Sequence, residues 1–194
     1  MIVVGVTGKY CSGKSTVTRA LVEHGYHEID VDALGHEALS RRADEVVARF
    51  GESVRLPDGG VDRKALGRIV FSDAEELRAL ESIVHPTMVE MVRDRIRHAP
   101  GECTGVAVNA AILFRMGLDE LCRTVLYVTA PLFSRYVRAR KRDGITLRGF
   151  IRRLRSQRDV APQFSRHNAD IQRVANDGNA EWLIQQLQER VPLS

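Results

Sequence analysis

Apolar positions along this chain alternate between two rhythms, short continuous runs and helical spacings. Residues 1–6, Met1-Ile2-Val3-Val4-Gly5-Val6, form an unbroken apolar start. That is the pattern of a central parallel strand covered on both faces. Residues 14–23 switch to helical spacing, and Gly25 is placed to stop that helix. Residues 26–29 predict a short second strand, ending at Asp30 and Asp32. Residues 33–50 are helical in pattern, and Leu56-Pro57-Asp58-Gly59-Gly60 is a turn cluster. Ser72 with Glu75 makes a capping-box signature. After it Leu77, Leu80, Val84, Met88 and Met91 recur at helical spacing. Residues 105–108 and 125–128 predict two further strands. Pro131 begins a helix that breaks at Gly144, and residues 146–160 predict another. Residues 173–175 predict a last strand, and residues 179–190 a closing helix with Trp182, Leu183 and Leu187 on its apolar side.

Strands alternating with helices predict an α/β fold with a parallel sheet, whose ligands bind at the carboxyl ends of the strands. The helical stretch of residues 33–99 exceeds an ordinary crossover, so it is expected to be a substrate-side insertion. The expected core is residues 1–32, 100–130 and 171–194, with a lid region at 131–170.

Composition narrows the class. A chain of 194 residues suits one domain with insertions, able to bury roughly 70% of its unfolded surface. Its 44% hydrophobic and 28% charged content is that of a soluble globular protein. No apolar run approaches the ~20 residues of a membrane span, and the apolar start is too short for a signal peptide. Cys11, Cys103 and Cys122 form no metal-ligand spacing and suit a reducing, cytoplasmic setting. The net charge of +4 is unevenly placed: residues 131–173 hold 12 Lys and Arg against 3 Asp and Glu, and the remainder 17 against 22. The basic character therefore belongs to one segment. Nucleic acid is not the expected partner.

The chemistry starts at Gly8-Lys9-Tyr10-Cys11-Ser12-Gly13-Lys14-Ser15, a G-x-x-x-x-G-K-[ST] pattern between a strand and a helix. Gly8 and Gly13 let the backbone turn its N–H groups inward at an anion. The helix that follows, with Thr16 in its first turn, offers free N–H groups and a positive dipole end. Lys14 reaches terminal phosphates, and the Ser15 hydroxyl is a candidate Mg²⁺ ligand. Lys9 either adds a phosphate contact or faces solvent. Cys11, beside a helix start, is either a thiol of lowered pKa or a filler at a variable position.

Three other features each carry two readings. A carboxylate at Asp32 can accept the proton of an attacking hydroxyl or can cap the next helix. His85-Pro86 interrupts a regular helix at a cost of ~3 kcal/mol or more. Either the histidine is being aimed at something, or a kink is tolerated. Arg138 and Arg142 share one helical face, as phosphate-binding forks or as part of a solvated basic face.

Together these residues resemble the dephospho-coenzyme A kinase family. The start through Ser12-Gly13-Lys14-Ser15-Thr16 looks like the family's opening, and Ile29-Asp30-Val31-Asp32 is similar to its strand-end Asp-x-Asp. Asp58-Gly59-Gly60-Val61-Asp62-Arg63 through Val70-Phe71 looks like its D-G-x-x-x-R…V-F stretch. Leu80-Glu81-Ser82-Ile83-Val84-His85-Pro86 is close to its L-E-x-I-x-H-P, and Arg138, Arg142-Asp143 and Gln157 are similar to its lid region. The resemblance implies a three-layer P-loop kinase fold with a parallel five-stranded sheet, a helical substrate-binding insertion and a lid. It implies ATP·Mg²⁺ on residues 8–16, with Asn176 by the adenine and Ser15 on the metal. Dephospho-coenzyme A is the implied acceptor, phosphorylated on its ribose 3′-hydroxyl. Asp32 is then the general base, and Lys14, Arg138 and Arg142 stabilise charge. Thr7, Asp32, Arg63 and His85 contact the acceptor.

The chain departs from the family at Asn109, where an acidic residue is usual, and at Arg115, where a glutamate is. An asparagine there lacks the charge that holds Mg²⁺ through water. Two alternatives remain at this level: a P-loop kinase for a nucleotide or sugar acid, and a nucleotide-binding regulatory protein without transfer activity.

Overall fold

In the computed structural model, which describes residues 1–156 and 169–193, the chain divides into two compact units. One comprises Met1–Asp30 with Arg95–Ser194, the other Val31–Asp94.

The first unit is built on a five-stranded sheet of order β2-β3-β1-β4-β5. The strands are β1 (Ile2–Gly8), β2 (Tyr26–Asp30), β3 (Gly105–Asn109), β4 (Thr124–Thr129) and β5 (Asp170–Ala175). All four pairings are parallel, with Val6 opposite Asn109 on one side and Leu126 on the other. The expected parallel five-stranded α/β architecture is therefore what the chain adopts. One connection leaves β1 for β2, and another crosses from β3 past β1 to β4. The carboxyl end of β1 thus lies where strand order reverses, the usual binding crevice of such sheets.

One sheet face packs Val4, Val6, Ala107, Leu126, Val128 and Val174 against α1 (Lys14–Glu23) and α8 (Ala180–Gln188). Val17 and Leu21 of α1 and Leu187 of α8 have no solvent exposure. The alternation of β1 explains the choice: Val4 and Val6 point one way, Val3, Gly5 and Thr7 the other. Gln186 of α8 protects the edge strand, accepting from Ala175 N at 2.9 Å and donating to Ala175 O at 3.0 Å. Gly25, at φ 84°, ends α1 as expected.

The second unit holds α2 (Val31–Arg41), α3 (Ala43–Phe50), α4 (Arg63–Val70) and most of α5 (Ala74–Arg97). Val46, Val47, Val54, Leu66 and Val70 form its core, with Leu77, Leu80 and Ile83 packed against them. The 56–60 turn closes an antiparallel bridge between Arg55 and Val61. Asp62 caps α4 by accepting from Lys64 N and Ala65 N, which holds its carboxyl below the usual range.

Several local expectations change. The 33–50 stretch is two helices, α2 and α3. The second strand ends at Asp30, so Asp32 stands in the first turn of α2, neither on the strand nor before the helix. Asp30 and Asp32 therefore do not share a strand face. Ser72 does not cap α5; its hydroxyl donates to Ile69 O, and Asp73 accepts from Glu75 N at 2.7 Å. Pro86 does not break α5, which runs unbroken for 24 residues. The remaining hydrogen bonds of a helix this long and its packed face carry the loss of one N–H. The last strand begins at Asp170, and the described part of the 146–160 helix is α7 (Leu147–Ser156). Gln157 lies outside the described residues.

Cys122 packs behind β1, where a side chain on Gly5 would come within 3.0 Å of its sulfur. Burial pushes its thiol up from 9.0 to about 12. Two outcomes follow. In the native protein at pH 8 a disulfide reagent modifies the half-buried Cys11 and Cys103 well before Cys122. The unfolded chain ionises this thiol first, so folding stability falls as pH rises from about 9 toward about 12. Urea midpoints compared with those of Cys122→Ala isolate that share of the decline.

Candidate active site

The loop of residues 8–13 is shaped by two close approaches and by left-handed backbone. A Cβ on Gly8 would stand 2.4 Å from the carbonyl oxygen of Val128. A Cβ on Gly13 would stand 1.9 Å from the Asn176 side-chain nitrogen, and Gly13 adopts φ 96°. Cys11 is held at φ 57°, rare for a side-chain-bearing residue. A turn bond from Ser12 N to Lys9 O tightens the loop, and Thr16 N and Val17 N bond Gly13 O as α1 begins. The first-turn N–H groups of α1 and its positive end thus face the carboxyl edge of the sheet.

Side chains from distant elements pin this loop. Asn176 is almost fully buried just beyond β5. Its backbone N donates to Thr129 O at 2.8 Å, and its Nδ2 reaches Gly13 O at 3.4 Å. Arg138, on α6 (Leu132–Asp143), donates to Ser12 O at 3.2 Å and to both oxygens of Asn176 at 3.2 and 3.3 Å. Arg135, one turn earlier, is 6% exposed and donates to Tyr10 O at 2.9 Å; burial pushes its guanidinium down. Among the described residues Ser12 Oγ and Arg135 Nη2 are buried without a hydrogen-bond partner.

A cleft of about 500 Å³ opens over the loop, lined by residues 11–15 with Arg138, Lys141 and Arg142. It carries four cations and no carboxylate, beside a helix N-terminus. The chemistry of such a surface is the binding of a polyanion. Lys9 is not on this cleft. It lines a neighbouring one of about 400 Å³ with Ser12, Arg135 and Arg173.

The structure brings together Gly8, Tyr10, Cys11, Ser12, Gly13, Lys14, Ser15, Thr16, Arg138, Arg142 and Asn176 in the first unit. Thr7 is fully buried below them and donates to Ala111 O at 3.4 Å, so its hydroxyl anchors the chain after β3. Asn109 ends β3 and donates to Glu28 at 3.1 Å, a carboxylate on the adjoining strand. In the second unit Asp32 lies on α2, His85 on α5 and Arg63 at the start of α4. Arg63 lines a cleft of about 680 Å³ with Leu39, Leu56, Val61 and Phe71.

The roles of four residues escaped sequence reading: Arg135 as a buried loop anchor, Glu28 beside Asn109, and Asp143 with Arg153 around Tyr10. The spacing of Arg135, Arg138 and Arg142 on one helical face was the available signal for the first. Among the described residues no three His, Cys, Asp or Glu side chains are placed to hold a metal ion, and no helix is long and apolar enough to cross a membrane.

Known proteins match this arrangement. The family model described as dephospho-CoA kinase matches residues 2–181. The dephospho-CoA kinase of Geobacter sulfurreducens is 34% identical over 193 residues, 97% of this chain and 96% of that one. That of Borreliella burgdorferi is 34% identical over 130 residues, 66% of this chain and 62% of that one. The crystal structure of TT1252 from Thermus thermophilus superposes with a TM-score of 0.78 at 34% identity, covering 97% of this chain and 95% of that one.

Gly13→Ala tests the loop geometry. The added methyl meets Asn176 and a left-handed backbone at once, so affinity for a non-hydrolysable ATP analogue is expected to fall at least about tenfold by calorimetry.

Proposed function

The chain belongs to the dephospho-CoA kinase family, and we propose that it transfers the γ-phosphoryl group of ATP to the ribose 3′-hydroxyl of dephospho-coenzyme A. The observation that carries this reading is the four-cation cleft over a glycine-turned loop at the start of α1.

The kinase family uses a nucleotide, and ATP is the donor proposed for this cleft. Backbone N–H groups of residues 8–16 hold the phosphates, and Lys14 reaches the terminal one. Asn176 supports the loop from behind, beside the position given to the adenine. Mg²⁺ suits the site through the Ser15 hydroxyl, which is exposed in the first turn of α1, with phosphate oxygens as further ligands. Bound there, the ion would neutralise phosphate charge. Glu28 lends Asn109 a neighbouring carboxylate, which supports a negative field at the end of β3 despite the missing acid.

The acceptor oxygen attacks the γ-phosphorus, the bond to the bridging β–γ oxygen breaks, and ADP leaves. Asp32 takes the hydroxyl proton, and Lys14, Arg138 and Arg142 stabilise the charge on the transferring group. His85 and Arg63 are the proposed acceptor contacts. The largely apolar cleft beside Arg63 and Lys64 supports this, since the acceptor carries a long arm and a diphosphate. Thr7 contributes through the segment it anchors.

Purified protein with ATP, Mg²⁺ and dephospho-coenzyme A is expected to yield coenzyme A and ADP, with nucleosides and sugar acids turned over poorly. Asp32→Asn should lower kcat by roughly 10²-fold or more with little change in nucleotide affinity. Undiminished turnover in that variant removes Asp32 as the base.

A further inference from the structure

Arg142 is already engaged. Its Nε donates to Asp143 Oδ1 at 2.9 Å and its Nη2 to Oδ2 at 3.1 Å, a forked pair between sequence neighbours. Yet Arg142 also lines the cation-rich cleft over the loop. To hold a phosphate oxygen with that fork it must let go of Asp143, and a carboxylate with one cation would resist the exchange.

Asp143 has other partners. The Tyr10 hydroxyl donates to its Oδ2. Arg153, on α7, donates to the same oxygen at 3.1 Å and to the Tyr10 hydroxyl oxygen at 2.7 Å. Donors and acceptors thus run in one consistent direction, from Arg153 through Tyr10 to Asp143. The guanidinium carbons of Arg142 and Arg153 lie 5.3 and 4.9 Å from the Tyr10 ring centre. That ring is 9% exposed and packs with Ala139 and Phe150, so its hydroxyl is fixed in place. Tyr10 is itself the second variable residue of the phosphate loop.

We propose that Tyr10 is a positioning residue which, with Arg153, holds the Asp143 carboxylate and so frees Arg142 to exchange that carboxylate for phosphate oxygens. When Arg142 leaves, Asp143 keeps a hydroxyl and a guanidinium, so little compensation is lost. The stacked Tyr10 ring keeps the departing guanidinium near the loop through its π-face. The exchange moves no covalent bond and no net proton. It rests on the reading above that Arg142 acts on the phosphates.

The test is kcat with both substrates saturating, alongside KM for ATP and the urea midpoint of each variant. Tyr10→Phe keeps the ring and removes the hydroxyl, which leaves Asp143 a stronger hold on Arg142. Its kcat is expected to fall about tenfold or more, as for the loss of one hydrogen bond to a charged group. Adding Asp143→Asn removes the charge that traps Arg142, so the double variant is expected to regain most of that turnover. A merely structural hydroxyl gives the opposite result, a double variant slower than Tyr10→Phe. That result, or unchanged kcat in Tyr10→Phe, overturns the proposal. Arg142→Gln separates the two readings. If it leaves kcat intact, the assigned role of Arg142 fails and the exchange with it. If it lowers kcat while the double variant is slower than Tyr10→Phe, the exchange alone fails.

Discussion

The close approach at Gly13 is the constraint on which the site depends. The Asn176 side chain occupies the volume that any β-carbon there would fill, and Arg138 binds Asn176 and Ser12 together. Through that contact the end of β5, the loop after β1 and helix α6 become one structure. Without it the loop N–H groups would have no fixed direction, since an isolated glycine turn has too many conformations to present a cradle. Preorganisation of this kind makes donors effective, because no reorganisation is then needed when charge develops.

The sheet supplies the frame for that contact. β1 sits at its centre, buried between β3 and β4, and its carboxyl end opens where the connections diverge. The apolar run of residues 1–6 is needed for burial on both faces. Gly5 is needed because Leu113 and Cys122 pack against it. The loop therefore leaves the sheet from a rigid position, and α1, held by Val17 and Leu21, fixes the other end. The cationic segment then has a definite use: Arg135 and Arg138 serve as anchors from α6, while Lys141 and Arg142 face the cleft. Repulsion among these side chains is offset partly by carbonyls and partly by Asp143.

Residues whose meaning is local could be read directly. Gly8, Gly13, Lys14 and Ser15 follow a pattern that demands one backbone path, and the alternation of apolar runs with helical spacing demanded a parallel sheet. Expectations failed where a local signal met a stronger context. Ser72 and Glu75 look like a capping pair, but Asp73 takes the cap because its carboxylate is the better acceptor at the same turn. Pro86 looks like a break, but one lost N–H is small beside the packing of a 24-residue helix. Asp32 looked like part of a strand because strand and helix adjoin without a loop.

Sequence alone thus determined the fold class, the phosphate loop and the family resemblance, since each rests on short-range spacing or on residue type. Tertiary structure decided how those parts engage. Tyr10 meets Asp143 and Arg153, Asn176 meets Gly13, and Arg135 meets Tyr10, across separations of 125 to 163 residues. No periodicity records such pairings, because they arise only when the sheet brings the ends of β1, β4 and β5 to one edge. The motif specified the path of the loop; the packing around it specified which side chains hold that loop.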